Sequence, residues 1–253
     1  MFEASYSIPY AGIGPNGRMK LPVLLNILQD MADRDARRMS MTVSDLLPKG
    51  ISWVLRRYKV SVERYPEYES TLTVKTWHGP RRNLHSIRAF SVRDEKGPVA
   101  SADTSWILID LERGRPLRLD RHTTDLYVKE SCPMDGDFPD IPVVPDLADE
   151  RPFSVRRWDL DRNNHVNNAV YISWAAEAVP EETALTCSLV RVDGEYLRPT
   201  EAGEIYGSGP HGRMTGMAMP VSFTPSSARR GTKRPVSLRA GNEGCDLLFG
   251  ATA

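Results

Sequence analysis

Hydrophobic and polar positions along the first half of the chain predict one helix followed by a sheet. From Asn16 to Arg38, apolar residues recur at the three- and four-residue spacing of a helix face, and Pro22 suits a first helical turn. Strand-like alternation or strand-forming composition then occupies 51–65, 69–77, 84–93 and 98–110. We therefore expect a helix packed against one face of an antiparallel sheet of about four strands.

The second half repeats the order of helix and then strands. We expect a short strand over 154–160, a helix from Asn167 to Pro180, and a long strand over 186–198 with an irregularity at Gly194. The last fifty residues are rich in Gly, Pro and Ser, and we expect about three strands there.

Between the halves, the chain changes character. Residues 112–150 contain five prolines, many aspartates and little periodicity, which is typical of a linker. The pattern therefore predicts two domains, 1–111 and 151–253, joined by this linker.

Composition excludes several classes of protein. Lys plus Arg and Asp plus Glu both number 33, so the formal net charge is zero and gives no indication of nucleic acid or a membrane surface as a partner. The three cysteines lie far apart, which favours a reducing compartment. No run approaches the ~18 apolar residues of a membrane span, and the N-terminus lacks a basic region followed by an apolar run. We expect a cytoplasmic protein without a signal peptide.

A candidate for chemistry lies at 159–168, where DLDRNNHVNN precedes the second predicted helix. Asp161, Asn163 and His165 alternate there, and alternate residues of an extended or loosely turned segment project to the same side. A carboxylate, an amide and an imidazole in one space suit hydrolysis, because a carboxylate or an imidazole can deprotonate water while the amide N–H holds a carbonyl or the attacking water. The amino terminus of the next helix would favour developing negative charge.

Simpler explanations cover only part of this cluster. A helix cap accounts for one asparagine and leaves the acid and the imidazole unexplained. A calcium loop is disfavoured, because Asn164 stands where such a loop needs glycine and Val170 where it needs glutamate. Zinc is disfavoured, because no second His or Cys follows His165 at three or four positions.

The run from Asp161 to Glu177, D-x-N-x-H-V-N-N-x-x-Y-I-x-W-x-x-E, resembles the signature of acyl-acyl carrier protein thioesterases. These plant and bacterial enzymes release free fatty acids from the carrier. Three earlier blocks fit the same family: LPVLLNILQDMADRDA, DLLPKGISWVLRRYKVSVERYPEYESTLTVKTW and SWILIDLERGRPLRL. Together the blocks cover roughly residues 5–200 in the right order.

The resemblance implies an α+β fold of two hot-dog domains in tandem, each an antiparallel sheet wrapped around a long central helix. It assigns the acyl-chain pocket to domain 1–111 and the catalytic residues to domain 151–253. The family's catalytic residues match, by position, Asp161, Asn163 and His165. Family members commonly place Glu, often followed by Cys, where Pro199 and Thr200 stand, so Glu201 is an additional catalytic candidate.

The apolar candidates for substrate binding are large residues of the first predicted sheet: Trp53, Leu55, Trp77 and Trp106. Asn167 is a polar candidate for the same role. Large aromatic side chains also dominate protein cores, so an ordinary core role stays open for each of them. No cofactor and no metal are expected.

The partner implied is acyl carrier protein, which is acidic and therefore calls for a basic docking surface. The candidate arginines are Arg34, Arg37, Arg38, Arg56, Arg57, Arg81, Arg82, Arg156 and Arg157.

The sequence leaves the oligomeric state open between a monomer and a homodimer. The alternatives are an acyl-CoA thioesterase of the same fold, a non-catalytic acyl-binding protein with a degenerate site, and a hot-dog dehydratase, which the linear motif disfavours.

Overall fold

The chain forms two compact units, Met1–Phe138 and Pro139–Ala253. The computed structural model describes residues 1–79, 84–123, 130–141, 153–177, 179, 182, 187–196, 205–206, 217–225 and 245–249.

The first unit contains a long helix and an antiparallel sheet. The helices are α1 (Leu21–Arg37) and the short α2 (Val43–Leu46), and the strands are β1 (Phe2–Ser7), β2 (Ile51–Val62), β3 (Thr71–His78), β4 (His85–Asp94), β5 (Gly97–Asp110) and β6 (Arg115–Pro116). Within this unit the strand order is β1-β3-β4-β5-β2, with β6 paired to the end of β5. The expected helix, followed by about four antiparallel strands, is present.

Helix α1 packs through one apolar face, as its spacing predicts. Leu24, Leu28 and Met31 are almost fully buried, and Pro22 lies in the first turn, where its missing N–H costs no helical hydrogen bond. The helix begins at Leu21 and not at Asn16, because the preceding residues form a short 3-10 turn and an isolated bridge between Ile13 and Met19.

Buried charges lie between α1 and the sheet. Arg88 of β4 donates to a carboxylate oxygen of Asp35 on α1 at 2.8 Å and to Thr76 Oγ1 at 3.2 Å. The Nε2 atom of His78 lies 2.6 Å from the same guanidinium. Arg88, Asp35 and Thr76 are all buried, so this cluster ties the helix to β3 and β4 from within the core.

The segment 130–138 covers strands on the other side of the sheet. Trp77 Nε1 donates to Ser131 O at 3.1 Å, and Lys59 Nζ donates to Met134 O and Asp137 O at 3.1 and 2.8 Å. Part of the expected linker is therefore packed on the first unit.

The second unit contains helix α3 (Asn168–Glu177) and the strands β7 (Phe153–Ser154), β8 (Cys187–Tyr196), β9 (Ile205–Tyr206), β10 (Met217–Pro225) and β11 (Cys245–Phe249). Strand β10 pairs antiparallel with β8 and β11, and β7 pairs with β9. Aromatic rings hold α3 in place, since Tyr171 lies edge-on to Tyr196 with ring centroids 5.7 Å apart.

One local expectation for the second unit is wrong. The strand expected over 154–160 is limited to β7, because residues 157–159 form a 3-10 turn. The pairing of β8 with β10 is interrupted at Asp193 and Gly194, where an irregularity is expected, and it shifts register between Leu189 and Arg191.

Candidate active site

The motif residues form a tight loop between the 3-10 turn 157–159 and helix α3. Leu160 and Val166 close the loop as an antiparallel bridge. Inside it, Asp161 N donates to His165 O at 2.7 Å, and Asn164 N donates to Asp161 O at 3.0 Å. Asn164 has a φ of 61°, and asparagine is one of the few side chains that adopt this left-handed conformation readily. The turn therefore explains why an asparagine stands at this position.

The carboxylate of Asp161 is directed at the backbone of its own loop. Its Oδ1 atom accepts from Asn163 N at 2.8 Å and from His165 N at 3.3 Å, as in an Asx turn. The segment is thus neither extended nor loosely turned, and simple alternation does not describe how its side chains project. Asp161 fixes the positions of the two other motif residues through their backbones.

The side chains of Asn163 and His165 remain available for a ligand. Asn163 is exposed and His165 is half-buried. Within the part of the chain that the structure describes, neither side chain forms a hydrogen bond or an ion pair. The loop therefore presents an amide and an imidazole on a backbone that Asp161 holds.

Helix α3 begins directly after the loop. Asn167 Oδ1 accepts from Ala169 N at 2.9 Å, which is the geometry of an N-cap. The capping explanation thus accounts for Asn167, while its predicted role in substrate binding stays a prediction. The partial positive charge of a helix amino terminus lies beside the loop and favours negative charge that develops there.

Glu201 lies outside the described residues, as do Pro199 and Thr200, so its catalytic role stays a prediction. In the described ranges, no group of three or more His, Cys, Asp or Glu side chains could hold a metal ion. No helix among those residues is long and apolar enough to cross a membrane.

Two of the four apolar substrate candidates line one small cavity in the first unit. Leu55 and Trp106 meet there with residues of α1, β2, β4 and β5, around a free volume of about 10 Å³. The other lining residues are Leu28, Gln29, Tyr58, Phe90 and Thr104. The walls are mainly apolar.

Trp53 and Trp77 lie elsewhere in the same unit. Trp53 packs against the core cluster that contains Leu46 and Leu108, and its Nε1 donates to Met41 O at 3.0 Å. Trp77 is buried under the segment 130–138. The structure thus brings Leu55 and Trp106 together and separates them from the other two.

Sequence reasoning missed Tyr58, which also lines the cavity. Its hydroxyl is buried and has no hydrogen-bond partner among the described residues. Burial raises the pKa of Tyr58 far above its ordinary value, so the phenol stays neutral. Tyr58 alternates with polar residues along β2, and this pattern could have marked it as inward-facing. The pattern alone does not distinguish a cavity wall from an ordinary core residue.

Comparison of the sequence with known proteins matches both halves of the chain to one family. The family model for the acyl-ACP thioesterase N-terminal domain matches residues 1–127, and that for the C-terminal domain matches residues 145–218.

The oleoyl-acyl carrier protein thioesterase 1 of Arabidopsis thaliana is 24% identical over 241 residues, which is 87% of this chain and 65% of that protein. The dodecanoyl-[acyl-carrier-protein] hydrolase of Umbellularia californica is 26% identical over 213 residues, 78% of this chain and 56% of that protein. Both are named as chloroplastic. The chain thus spans less than two thirds of each relative's length.

Solved structures agree on the fold. An acyl-ACP thioesterase from Bacteroides thetaiotaomicron superposes with a TM-score of 0.74 at 22% identity, covering 90% of this chain and 93% of that one. The 12:0-ACP thioesterase from Umbellularia californica gives 0.68 at 22% identity, over 89% and 92%. The predicted α+β tandem hot-dog class is confirmed. With both halves matched by its domain models, this chain belongs to the acyl-ACP thioesterase family.

Proposed function

We propose that this protein hydrolyses the thioester of fatty acyl-acyl carrier protein to a free fatty acid and the carrier thiol. Family membership supports the reaction class, and the loop 161–165 is the observation that carries the proposal. That loop combines a backbone held by a carboxylate with an imidazole and an amide that form no hydrogen bond within the described ranges.

In the proposed mechanism, His165 is the general base. It takes a proton from water while the water oxygen attacks the thioester carbonyl carbon. Asn163 orients the carbonyl or the water, and the amino terminus of α3 stabilises the charge on the carbonyl oxygen. The carbon–sulfur bond then breaks, and the imidazolium returns its proton to the thiolate, which leaves as the carrier thiol. Water supplies the hydroxyl group of the acid, so atoms and charge balance.

We assign Asp161 to holding the loop. One of its oxygens already accepts two backbone N–H bonds, and this geometry fits a positioning role better than attack on the substrate. A carboxylate that orients a base contributes by keeping the base in reach of the proton it removes.

The test is a thioesterase assay with acyl carrier protein and CoA thioesters of a series of chain lengths. We expect His165→Ala to lower kcat by ~10²–10⁴, the usual contribution of acid–base catalysis. His122→Ala is the matched control, because His122 is an exposed histidine of the first unit and is expected to leave kcat unchanged. Wild-type turnover in a folded His165→Ala variant would overturn the assignment.

The acyl chain is proposed to enter the cavity of the first unit that Leu55 and Trp106 line. The free volume of this cavity is far smaller than the ~300–1,000 Å³ of typical ligand pockets, so binding of a long chain requires side chains to move. We expect Leu55→Phe to shift the preferred substrate to shorter chains by filling the space. An unchanged chain-length profile would place the acyl chain elsewhere.

A further inference from the structure

Trp158 is the most exposed large hydrophobic residue among those described. Its relative exposure is 96%, whereas Trp174 in the same unit is 4% exposed. An aromatic side chain of this size is strongly stabilised when it is removed from water, and here it is left in contact with water. Tryptophan is also enriched at the positions that dominate protein–protein binding energy. We therefore expect that a partner surface covers this side chain.

Two cationic side chains directly precede this tryptophan in the chain. Arg156 and Arg157 are both exposed. Within the described residues, neither of them forms an ion pair with an acid. We call these three residues, Arg156, Arg157 and Trp158, the Trp158 surface.

The acidic side chains of the same segment accept hydrogen bonds from their own backbone. Asp159 Oδ2 accepts from Arg156 N at 2.7 Å, and Asp161 Oδ1 accepts from two loop N–H groups. Their charges are thus directed at their own backbone, and the guanidinium groups carry the charge of the exposed side chains. A surface of this kind matches an acidic partner.

The candidate arginines at the end of α1 already have acidic partners. Arg34 and Arg37 on α1 lie 3.9 and 3.2 Å from Asp30 and Asp33, each one helical turn away. Arg38 pairs with Asp35 at 3.5 Å. These pairs leave α1 with little net positive charge.

Two further candidate pairs offer no better surface. Arg57 is buried with its guanidinium over the ring of Phe138. Its neighbour Arg56 is only half-exposed and already has an interaction partner, and Arg81 and Arg82 lie outside the described residues.

We propose that the Trp158 surface is the docking site for the acidic carrier protein. The proposal rests on the proposed function and specifies its partner contact. The loop that carries Asn163 and His165 follows Trp158 directly in the chain, so a carrier bound here would have its thioester arm beside the candidate catalytic groups. Trp158 supplies the apolar contact, and the arginines select an acidic surface.

The experiment compares two substrates that share one acyl chain: acyl carrier protein thioester and carrier-free acyl-pantetheine. For Trp158→Ala and for Arg156→Ala/Arg157→Ala, we expect kcat/KM on the carrier substrate to fall by about 10- to 30-fold, the loss that a binding hot spot produces. We expect acyl-pantetheine turnover to change less than about 2-fold, because exposed side chains outside the loop contribute little to folding. Added salt is expected to slow wild-type turnover of the carrier substrate more than that of the double variant.

The matched control is Arg113→Ala/Arg115→Ala, which removes two exposed arginines from the first unit and is expected to leave both substrates unaffected. Unchanged carrier kinetics in both Trp158-surface variants would overturn the proposal. Equal losses on both substrates would also overturn it, because they indicate damage to the loop.

Direct calorimetric titration of the unacylated carrier into the protein separates docking from chemistry. If wild-type protein turns over neither thioester but binds the carrier through Trp158, the proposed function fails while the docking proposal stands. Anionic vesicles of phosphatidylglycerol provide the last arm. Vesicle binding that is lost in the variants, with carrier binding retained, would overturn the carrier assignment in favour of a membrane surface.

Discussion

Each unit of this protein places an aspartate near a histidine, in opposite surroundings. In the first unit, Asp35 and His78 meet at 3.9 Å beside the guanidinium of Arg88, between α1 and the sheet. In the second unit, Asp161 and His165 lie in a loop, and the carboxylate bonds the backbone N–H of the histidine at 3.3 Å.

The difference shows how surroundings assign the same residue types to different work. A buried carboxylate without a cation would be very costly, so Arg88 compensates Asp35 and the cluster contributes to the fold. In the loop, backbone N–H groups satisfy Asp161, and the side chains of Asn163 and His165 are left for a ligand. We therefore expect changes in the first cluster to alter stability and changes in the second to alter turnover.

Removing Arg88 is expected to have the largest effect on folding. Arg88→Ala removes the buried cation of Asp35 and leaves only the largely exposed Arg38 at 3.5 Å, so we expect a loss approaching the ~3–5 kcal/mol that breaking a buried ion pair costs. Urea denaturation followed by circular dichroism measures this loss. The double variant Asp35→Leu/Arg88→Met removes both charges and is expected to be less destabilised than Arg88→Ala. If the double variant is the less stable protein, the ion pair is not what holds α1 to the sheet.

Variants of Asp161 are expected to act on turnover. Asp161→Ala removes the acceptor for two loop N–H groups, and we expect kcat to fall by about 10²-fold as His165 loses its fixed position. Asp161→Asn keeps an acceptor oxygen and is expected to retain more activity than Asp161→Ala. Both variants should unfold within about 1 kcal/mol of the wild type, since exposed loop groups can bond to water. Equal activity losses in the two variants would argue that the charge of Asp161 takes part in the reaction.

The cap of α3 provides a smaller test. Asn167→Ala is expected to cost about 1 kcal/mol of unfolding free energy because Ala169 N loses its acceptor. Asn167→Asp keeps that acceptor and should retain stability. If Asn167→Asp is stable but has a clearly raised KM, the amide group also contacts the substrate, as the sequence predicts.

The sequence predicts elements well where one periodicity operates over many residues. The leucines of α1 and the alternation of β2 to β5 specify their type and order, with errors of a few residues at the ends. Strand β1 was missed, although Phe2, Ala4 and Tyr6 alternate there. A six-residue edge strand acquires its structure from pairing with β3, which lies about seventy residues away in the chain.

The candidate site was predictable as a segment but not as a geometry. Local spacing identified Asp161, Asn163 and His165, but the direction of the Asp161 carboxylate depends on the left-handed turn at Asn164. The Asp35–Arg88 pair could not be predicted from the sequence, for another reason. Its members are 53 residues apart, and nothing local distinguishes a buried arginine of a strand from an exposed one.

Asp103 offers the finest test of what burial does to a carboxylate in the first unit. This side chain is fully buried, and its Oδ1 has no hydrogen-bond partner among the described residues. Burial raises the pKa of Asp103 above its ordinary 3.8, although N–H bonds from Gly136 and Met134 and the charge of Lys59 oppose the shift. Because the folded pKa is raised, its contribution to stability is complete below pH 3.8 and is lost as pH rises through the folded value.

We therefore expect the stability of Asp103→Asn relative to wild type to improve as pH rises from about 3.5 to 7, since the amide does not ionise. Urea titrations at a series of pH values measure the difference. Asp120→Asn is the control with the opposite sign, because the hydrogen bond from Arg118 lowers the pKa of the exposed Asp120. For this pair, the stability of the wild type relative to Asp120→Asn increases as pH rises. Parallel pH profiles for the two variants would mean that Asp103 is not desolvated in the folded protein, and the contrast between buried and loop carboxylates would then rest on the Asp35 cluster alone.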